Sequence, residues 1–406
     1  MTHFTVFPPE KPINQSIELP VSKSISNRLL IMQYLSAFGF SIQNLSSAED
    51  SEILKNILTN DEKYVNVEHA GTCMRFLCAL FAITQGERIL TGSERMKSRP
   101  IKNLVEALKK MGADIEYIEK DGFPPLKIIG KKIIKSQIEI DASISSQFIS
   151  ALMLVGPYLE NGLKIKLIGQ KVSNSYIEMT KKMMIELGIE VDYQLNIISI
   201  KKGRYTSSNE IIIEPDWSSA SFWFQIVAFS KNSEILLKNL SLDSVQGDKV
   251  LIDIFSNLGV DSVKHPNGLL LKNCKPKTNF FNYDFINCPD LAQPTAATMC
   301  AMKLKGKLTG LQTLNKKESE RVKSLCSELK KLGAEIESDF ENFIAFKSFR
   351  NSHESLNINT FNDHRIAMSF APLSFKYPGI IIENPNVVSK SYPNYWKDLK
   401  LAGFKF

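Results

Sequence analysis

The chain has 406 residues, long for one domain and comfortable for two. With 43% hydrophobic and 23% charged residues it is neither a disordered nor a fibrous sequence. Fifty basic against 43 acidic residues leave a formal charge of +7, but no long basic run occurs, so no nucleic-acid partner is expected. In chain order, the first helix signal is SKSISNRLLIMQYLSAF, and the second is AGTCMRFLCALFAIT. IKNLVEALKKMG follows, an amphipathic helix stopped at Gly112, and then a hairpin around Asp121-Gly122. The same alternation continues with SSQFISALMLVGPYL and a helix ending at Gly188, then DWSSASFWFQIVAFS and a helix ending at Gly259. PDLAQPTAATMCAM precedes a helix ending at Gly333, and NDHRIAMSFAPLSF precedes YWKDLKLAGF, a fainter copy ending at Gly403. The five glycines are 76, 71, 74 and 70 residues apart. Each reads as a helix C-cap in a left-handed conformation, which glycine adopts cheaply. Six apolar helices with polar starts thus alternate with amphipathic helices ending in Gly. These periods exceed those of solenoid repeats and predict six α/β units, three in each of two domains.

The N-terminal MTHFTVFPPEKP has no apolar signal core, and the apolar stretches near 76–83 and 148–159 are too short or too interrupted to span a bilayer. A cytoplasmic protein without a membrane partner is expected. The six cysteines show no CxxC spacing and sit mostly in apolar runs. They read as buried small hydrophobes in a reducing compartment, with no metal site and no disulfide framework.

A helix N-terminus carries free N–H groups and a partial positive charge, and so attracts anions. Several helix starts here also carry cations. In Lys23-Ser24-Ile25-Ser26-Asn27-Arg28, Ser24 and Arg28 are four residues apart and share a helix face. Taken alone, this is also how a capped helix with two surface cations looks. Gly71-Thr72-Cys73-Met74-Arg75 would let a ligand approach the backbone at Gly71. Ser145-Ser146-Gln147 is a hydroxyl cluster that simple capping also explains. Arg95-Met96-Lys97-Ser98-Arg99-Pro100 places three cations before a helix, a conflict that a bound anion would resolve. Lys317-Glu318-Ser319-Glu320-Arg321 repeats that conflict with a carboxylate added. Asn362-Asp363-His364-Arg365 and Lys390 complete the set. Only nine of the 50 basic residues are Arg, and six of these fall in the motifs: Arg28, Arg75, Arg95, Arg99, Arg321 and Arg365. The rarity of Arg suggests a need for guanidinium geometry at those places.

SKSISNR, AGTCMR, RMKSRP, SSQF, QGD, KESER, NDHR and KSYPNYW occur in this order along essentially the whole chain. In this the sequence resembles the enolpyruvyl transferase family, specifically the 5-enolpyruvylshikimate-3-phosphate (EPSP) synthases, the 3-phosphoshikimate 1-carboxyvinyltransferases. The resemblance implies an α/β (α+β) fold of two domains. Each has three βαβαββ units around a pseudo-threefold axis, and the active site lies in the interdomain cleft. Since the family's N-terminal strand belongs to the second domain, one domain is expected at 19–215, with 1–18 joining 216–406. A monomer that opens and closes around its ligands is implied.

The implied reaction transfers the enolpyruvyl group of phosphoenolpyruvate to the 5-hydroxyl of shikimate-3-phosphate and releases phosphate, a step towards chorismate and the aromatic amino acids. Its partners are these two small anions, and it needs no cofactor and no metal. By resemblance, Lys23, Gly71, Arg99, Gln147, Arg321, Arg365 and Lys390 bind phosphoenolpyruvate. Lys23, Ser24, Arg28, Ser145, Ser146, Gln147, Ser173, Tyr176, Asp290 and Lys317 bind shikimate-3-phosphate. Glu318 and Lys23 form the acid–base pair at phosphoenolpyruvate, and Asp290 is the base for the 5-hydroxyl. A carboxylate ringed by cations has a lowered pKa, which suits a base better than an acid. A salt bridge to Arg321 is the other reading of Glu318. His364 either positions a phosphate or orients Asp363, and Asp216 either lines the second domain's wall or caps its helix.

Three positions depart from the family pattern. His69 stands where Asn usually precedes Ala-Gly-Thr, Phe76 where Pro usually follows Met-Arg, and Thr313 where an Asn often lies near shikimate-3-phosphate. Gly71 is retained, so competition by the inhibitor glyphosate is expected. The related enzyme acting on UDP-N-acetylglucosamine is the alternative, but it follows its early Lys with Asn, whereas Ser24 follows Lys23 here.

Overall fold

Two short strands open the chain, β1 (His3–Val6) and β2 (Asn14–Ile17), and both pair only with strands found after residue 230. The computed structural model describes residues 3–36, 39–60, 62–207, 210–350 and 356–406. The chain divides into two compact units, Lys23–Ile213 and Met1–Ser22 with Glu214–Phe406.

The inserted unit begins with helices α1 (Lys23–Leu35) and α2 (Glu49–Thr59). Strand β3 (Tyr64–Asn66), helix α3 (Gly71–Ile83), strand β4 (Gly86–Thr91), helices α4 (Glu94–Lys97) and α5 (Lys102–Met111), and strands β5 (Asp114–Tyr117) and β6 (Leu126–Gly130) follow. Their sheet has the order β3-β4-β6-β5, with β3 and β4 parallel and the other pairs antiparallel. The pattern recurs in β7 (Gln137–Asp141), α6 (Ser146–Val155), β8 (Leu163–Ile168), α7 (Asn174–Glu186), β9 (Val191–Gln194) and β10 (Ile197–Ile200), ordered β7-β8-β10-β9.

In the other unit β2 lies parallel to β11 (Glu234–Lys238). Helix α8 (Trp217–Phe229) precedes β11, and α9 (Leu251–Asn257), β12 (Val260–His265) and β13 (Gly268–Asn273) complete the order β12-β13-β11-β2. A fourth such sheet, β14-β15-β17-β16, is built from β14 (Phe280–Asp284), α10 (Ala292–Ala301), β15 (Lys305–Thr309), α11 (Arg321–Lys331), β16 (Ala334–Glu337) and β17 (Ile344–Phe349). The chain closes with β18 (Asn357–Ile358), α12 (His364–Phe370), β19 (Ile380–Glu383) and α13 (Tyr395–Leu401). Here β1 completes a three-stranded sheet, β1-β19-β18.

Four repeats are therefore complete βαβαββ units. The other two are reduced: the last sheet has three strands. Around α1 the described residues show isolated bridges rather than a sheet: Ile42 with Ile211 in parallel and, just ahead of α1, Val21 with Pro215 antiparallel.

Local sequence accounts for these elements. In β8, Leu163, Ile165 and Leu167 are buried while Lys164, Lys166 and Ile168 are exposed, so one sheet face packs and the other is solvated. Helix α5 buries Leu104, Val105, Leu108 and Met111, one stripe at helical spacing. Helix α8 is buried on every residue, and its Trp217, Phe222, Trp223 and Phe224 are all 0% exposed in the core. Each such burial is worth roughly 1.5–3 kcal/mol. Gly112, Gly188, Gly259, Gly333 and Gly403 all have positive φ, from 83° to 109°, and each ends its helix. Asp114–Tyr117 pairs antiparallel with Leu126–Ile129 around Gly122, whose φ is 88°. Among the described residues, no helix is long and apolar enough to cross a membrane.

Candidate active site

In the unit Lys23–Ile213, the chemistry-bearing side chains gather around the starts of α1, α3 and α6. Lys23, the first residue of α1, donates to Asp50 Oδ2 at 3.0 Å, and that carboxylate is only 7% exposed. Gly71 begins α3, and a Cβ there would fall 2.7 Å from Arg99 Cζ, so the absence of a side chain is what lets the guanidinium lie against this backbone. Gln147 Nε2 donates to Thr72 Oγ1 at 3.2 Å, which brings the start of α6 to the start of α3. Ser145 caps α6 by accepting from Gln147 N at 3.2 Å.

Arg28 points into this unit. Its Nε donates to Thr180 Oγ1 at 2.7 Å, Nη1 to Ser24 O at 2.8 Å, and Nη2 to Ser150 Oγ at 3.2 Å. The rings of Phe76 and Tyr176 lie 5.5 and 5.9 Å from its Cζ. Burial lowers the Arg28 pKa to about 10. Phe76 thus has a definite task here, flanking a buried guanidinium. Ser173 is buried in front of α7 with φ 52°, a left-handed conformation uncommon for a residue with a side chain.

The second cluster lies in the unit that includes Glu214–Phe406. A turn at Pro289–Leu291 puts Asp290 just ahead of α10, while Arg321 begins α11 and Arg365 lies in the first turn of α12. Arg321 is 1% exposed and touches three carboxylates: Nε to Asp363 Oδ2 at 2.7 Å, Nη1 to Asp290 Oδ1 at 3.0 Å and Nη2 to Glu318 Oε2 at 2.6 Å. Burial opposes its charge, but Asp363, Glu318 and Asp290 outweigh that and raise its pKa. Arg365 Nη2 lies 3.1 Å from Asp290 Oδ2 and donates to Ser218 Oγ at 3.1 Å. Burial also opposes the charge on Asp290. Arg365, Lys317 and Arg321 nevertheless hold its carboxyl well below the usual range.

Asp248 behaves in the opposite way. Burial, reinforced by the negative charge of Asp290, raises its pKa to about 8. Its Oδ1 has no hydrogen-bond partner among the described residues.

Asp216 caps α8, accepting from Ser219 N at 2.9 Å and from the Ser218 and Ser219 hydroxyls at 2.7 Å. Glu318 does pair with Arg321. His364 Nδ1 lies 4.0 Å from Asp363 Oδ1 and the residue is 2% exposed. Lys390 Nζ donates to Asn362 O at 2.8 Å.

For three of the cations at the helix starts, carboxylates of the chain itself supply partners: Lys23 meets Asp50, Arg321 meets three acids and Lys97 meets Glu119 at 2.8 Å. Of the three cations in RMKSRP only Arg99 reaches Gly71, while Arg95 is exposed. Arg75 ties its own helix down, donating to Gly71 O at 3.2 Å and Pro100 O at 3.0 Å.

Asp50, Ser150, Thr180 and Ser218 were not legible in sequence. Asp50 in particular looks like any acid in the first turn of a helix.

The model of the family described as EPSP synthase (3-phosphoshikimate 1-carboxyvinyltransferase) matches residues 51–399. The chain belongs to the EPSP synthase family. It is 40% identical over 393 residues to a 3-phosphoshikimate 1-carboxyvinyltransferase of Bacteroides fragilis strain YCH46, covering 97% of this chain and 96% of that protein. It is 32% identical over 430 residues to the protein of that name from Vibrio atlanticus, covering 99% of each. The fold matches an EPSP synthase structure from Acinetobacter baumannii with a TM-score of 0.79 at 20% identity, covering 100% of this chain and 99% of the other. Family membership places the two charged clusters in an enolpyruvyl transferase fold.

Proposed function

We propose that this chain transfers the enolpyruvyl group of phosphoenolpyruvate to the 5-hydroxyl of shikimate-3-phosphate and releases phosphate. The observation that carries the reading is the family match across 51–399, together with the clusters that the family-like motifs form in both units. Transfer to UDP-N-acetylglucosamine is not favoured, since the relatives named above are 3-phosphoshikimate 1-carboxyvinyltransferases.

Both substrates carry a phosphate and a carboxylate. Charge-assisted hydrogen bonds to such groups are worth roughly 1.5–3 kcal/mol each. Lys23, Gly71, Arg99, Gln147, Arg321, Arg365 and Lys390 take phosphoenolpyruvate. Ser24, Arg28, Ser145, Ser146, Ser173, Tyr176, Asp290 and Lys317 take shikimate-3-phosphate, with Lys23 and Gln147 serving both. The buried Arg28 also ties down Ser24 and Tyr176 through their backbone oxygens.

In the reaction a proton is added to the methylene carbon of phosphoenolpyruvate while the 5-hydroxyl attacks C2 and loses its own proton. The resulting tetrahedral ketal phosphate expels phosphate, and the methyl group returns one proton. Lys23 and Glu318 move the proton at the methylene carbon, and Asp290 accepts the hydroxyl proton. The cations that keep Asp290 ionised are also those that meet the substrate anions. When Arg321, Arg365 and Lys317 turn to phosphate and carboxylate, Asp290 loses part of their stabilisation and becomes a stronger base.

The enzyme works as a cytoplasmic monomer. Phosphate release from the two substrates tests the whole reading, comparing wild type with Lys23→Ala, Asp290→Ala and Glu318→Ala. Each replacement is expected to lower kcat by roughly 10²–10⁴-fold, the range of a general acid or base. Undiminished turnover in all three would sink the mechanism. Absence of any phosphate release in wild type would sink the activity.

A further inference from the structure

His69 occupies an unusual place beside the Lys23–Asp50 pair. The turn from Val67 to Ala70, closed by Ala70 N donating to Val67 O at 2.9 Å, carries it just ahead of α3. Glu68, the residue before it, is held at φ 49°. Its backbone is tied on both sides: Glu68 N donates to Asn66 Oδ1 at 2.9 Å and Glu68 O accepts from Ser93 N at 2.9 Å. A left-handed conformation at a residue with a side chain costs on the order of 1–3 kcal/mol and persists only where its surroundings over-determine it.

The turn aims the imidazole at the start of α2. His69 Nε2 is buried and makes no hydrogen bond within normal reach to any described residue. It lies 3.5 Å from Glu49 Oε2 and 3.6 Å from Asp50 Oδ1, while the other Asp50 oxygen holds Lys23 Nζ at 3.0 Å.

We propose that His69 is a positioning residue for Lys23: on protonation it takes a share of the Asp50 charge, loosens Asp50's hold on Lys23 and strengthens phosphoenolpyruvate binding as the pH falls. This rests on the assignment of Lys23 to phosphoenolpyruvate proposed above. The charged and titratable groups on the surrounding elements are Glu49 and Asp50 of α2, Lys23 of α1, Cys73 of α3, Glu68 on the turn itself and Arg99 against Gly71. The Cys73 thiol sits on the Asp50 backbone, Sγ to O at 3.1 Å, and burial raises its pKa, so it stays neutral and adds no charge.

With a neutral imidazole, Glu49 and Asp50 outnumber the one ammonium that Asp50 holds. Protonation balances the group and leaves Lys23 freer to meet an anion. Histidine is the side chain whose charge ordinarily changes between pH 5 and 8. An Asn at this position could accept or donate a hydrogen bond but could not change charge.

The test is the KM for phosphoenolpyruvate at saturating shikimate-3-phosphate from pH 5.5 to 8.5, in wild type, His69→Asn, His69→Gln and Lys23→Ala. The substrate phosphate also titrates near pH 6, but equally for all four enzymes, so the informative quantity is the ratio of variant to wild type at each pH. The ratio of the His69 variants' KM to that of wild type is expected to change roughly two- to tenfold between the pH extremes, as one added charge several ångströms away predicts. At low pH wild type binds more tightly than either variant. Ratios that stay constant with pH, while Lys23→Ala binds phosphoenolpyruvate poorly, would overturn the role of His69 alone and leave it a structural turn residue. An unchanged KM in Lys23→Ala would overturn the Lys23 assignment and this inference with it.

Discussion

Two residues show how a single group's surroundings set its behaviour. At Gly71 the missing side chain is the functional feature, because the Arg99 guanidinium fills the space that a Cβ would take. Gly71→Ala is expected to push Arg99 out of place and to raise the KM for phosphoenolpyruvate roughly tenfold or more, the cost of about one charge-assisted hydrogen bond, with little change in folding stability. Steady-state kinetics with a parallel urea titration checks this. In the second cluster, Asp248 and Asp290 share a neighbourhood and shift in opposite directions. Asp248 titrates at about 8 in the folded chain, against about 3.9 for an unfolded Asp. Between those values the native state keeps a proton that the unfolded chain has lost, so this group makes stability fall as pH rises from about 4 to 8. Asp248→Asn is expected to remove that slope, and to be more stable than wild type at pH 8 by on the order of a few kcal/mol. Urea unfolding at pH 5 and pH 8 reads it as a difference between the two proteins, and an equal difference at both values would refute it. Asp290 contributes with the other sign. Its depressed pKa gives stability that is present above about pH 3.9 and lost only as the pH falls further.

The helices differ in what holds their ends. Gly112 ends α5 at φ 109° with open space where a Cβ would stand, whereas a Cβ on Gly333, at φ 87°, would run into the Arg350 backbone oxygen. Gly112→Ala therefore measures conformational strain alone, and about 1 kcal/mol is expected. Gly333→Ala adds a clash with backbone that cannot rotate away, so it is expected to cost clearly more. Equal losses in chemical denaturation would show that the backbone at Arg350 yields freely. Side-chain capping is used selectively among the apolar helices. Ser145, Asp216 and Asp363 cap α6, α8 and α12, whereas α3 and α10 begin without a side-chain cap. At α3 the uncapped start leaves the Gly71 backbone open, and that is where Arg99 lies.

At the scale of the whole molecule, the first strands are separated in sequence from the sheets they complete. β2 supplies the parallel partner of β11, and β1 closes the edge of β19. Val6, Ile13, Ile17 and Leu19 are at most 4% exposed in the core of that unit. Removing residues 1–18 is expected to strip hydrogen-exchange protection from Glu214–Phe406 while Lys23–Ile213 keeps its own, since that unit is continuous in the chain. Loss of protection in both units alike would mean that the inserted unit depends on the other for its fold.

The repeat was legible in the sequence because each copy solves the same local problem: an apolar helix must start with polar groups and an amphipathic one must stop at a glycine. The positive φ of Gly112, Gly188, Gly259, Gly333 and Gly403 follows from local backbone sterics. The reduced sheets around α1 and α12 were not legible, since strand pairing depends on partners far along the chain. Much the same division applies to the candidate site. Cations at helix starts drew attention to Lys23, Arg99, Arg321 and Arg365 without a structure, whereas the roles expected of Gly71, Asp290 and Glu318 came from the family resemblance. Only the tertiary structure decided which acid meets which cation. Asp50 is an ordinary acid in sequence, and Asp248 and Asp363, though inside the QGD and NDHR motifs, gain their charge partners only where folding removes water and packs remote segments together. Charge type and helix phase are local properties, whereas electrostatic partnership depends on distance and burial, which arise only when remote segments pack.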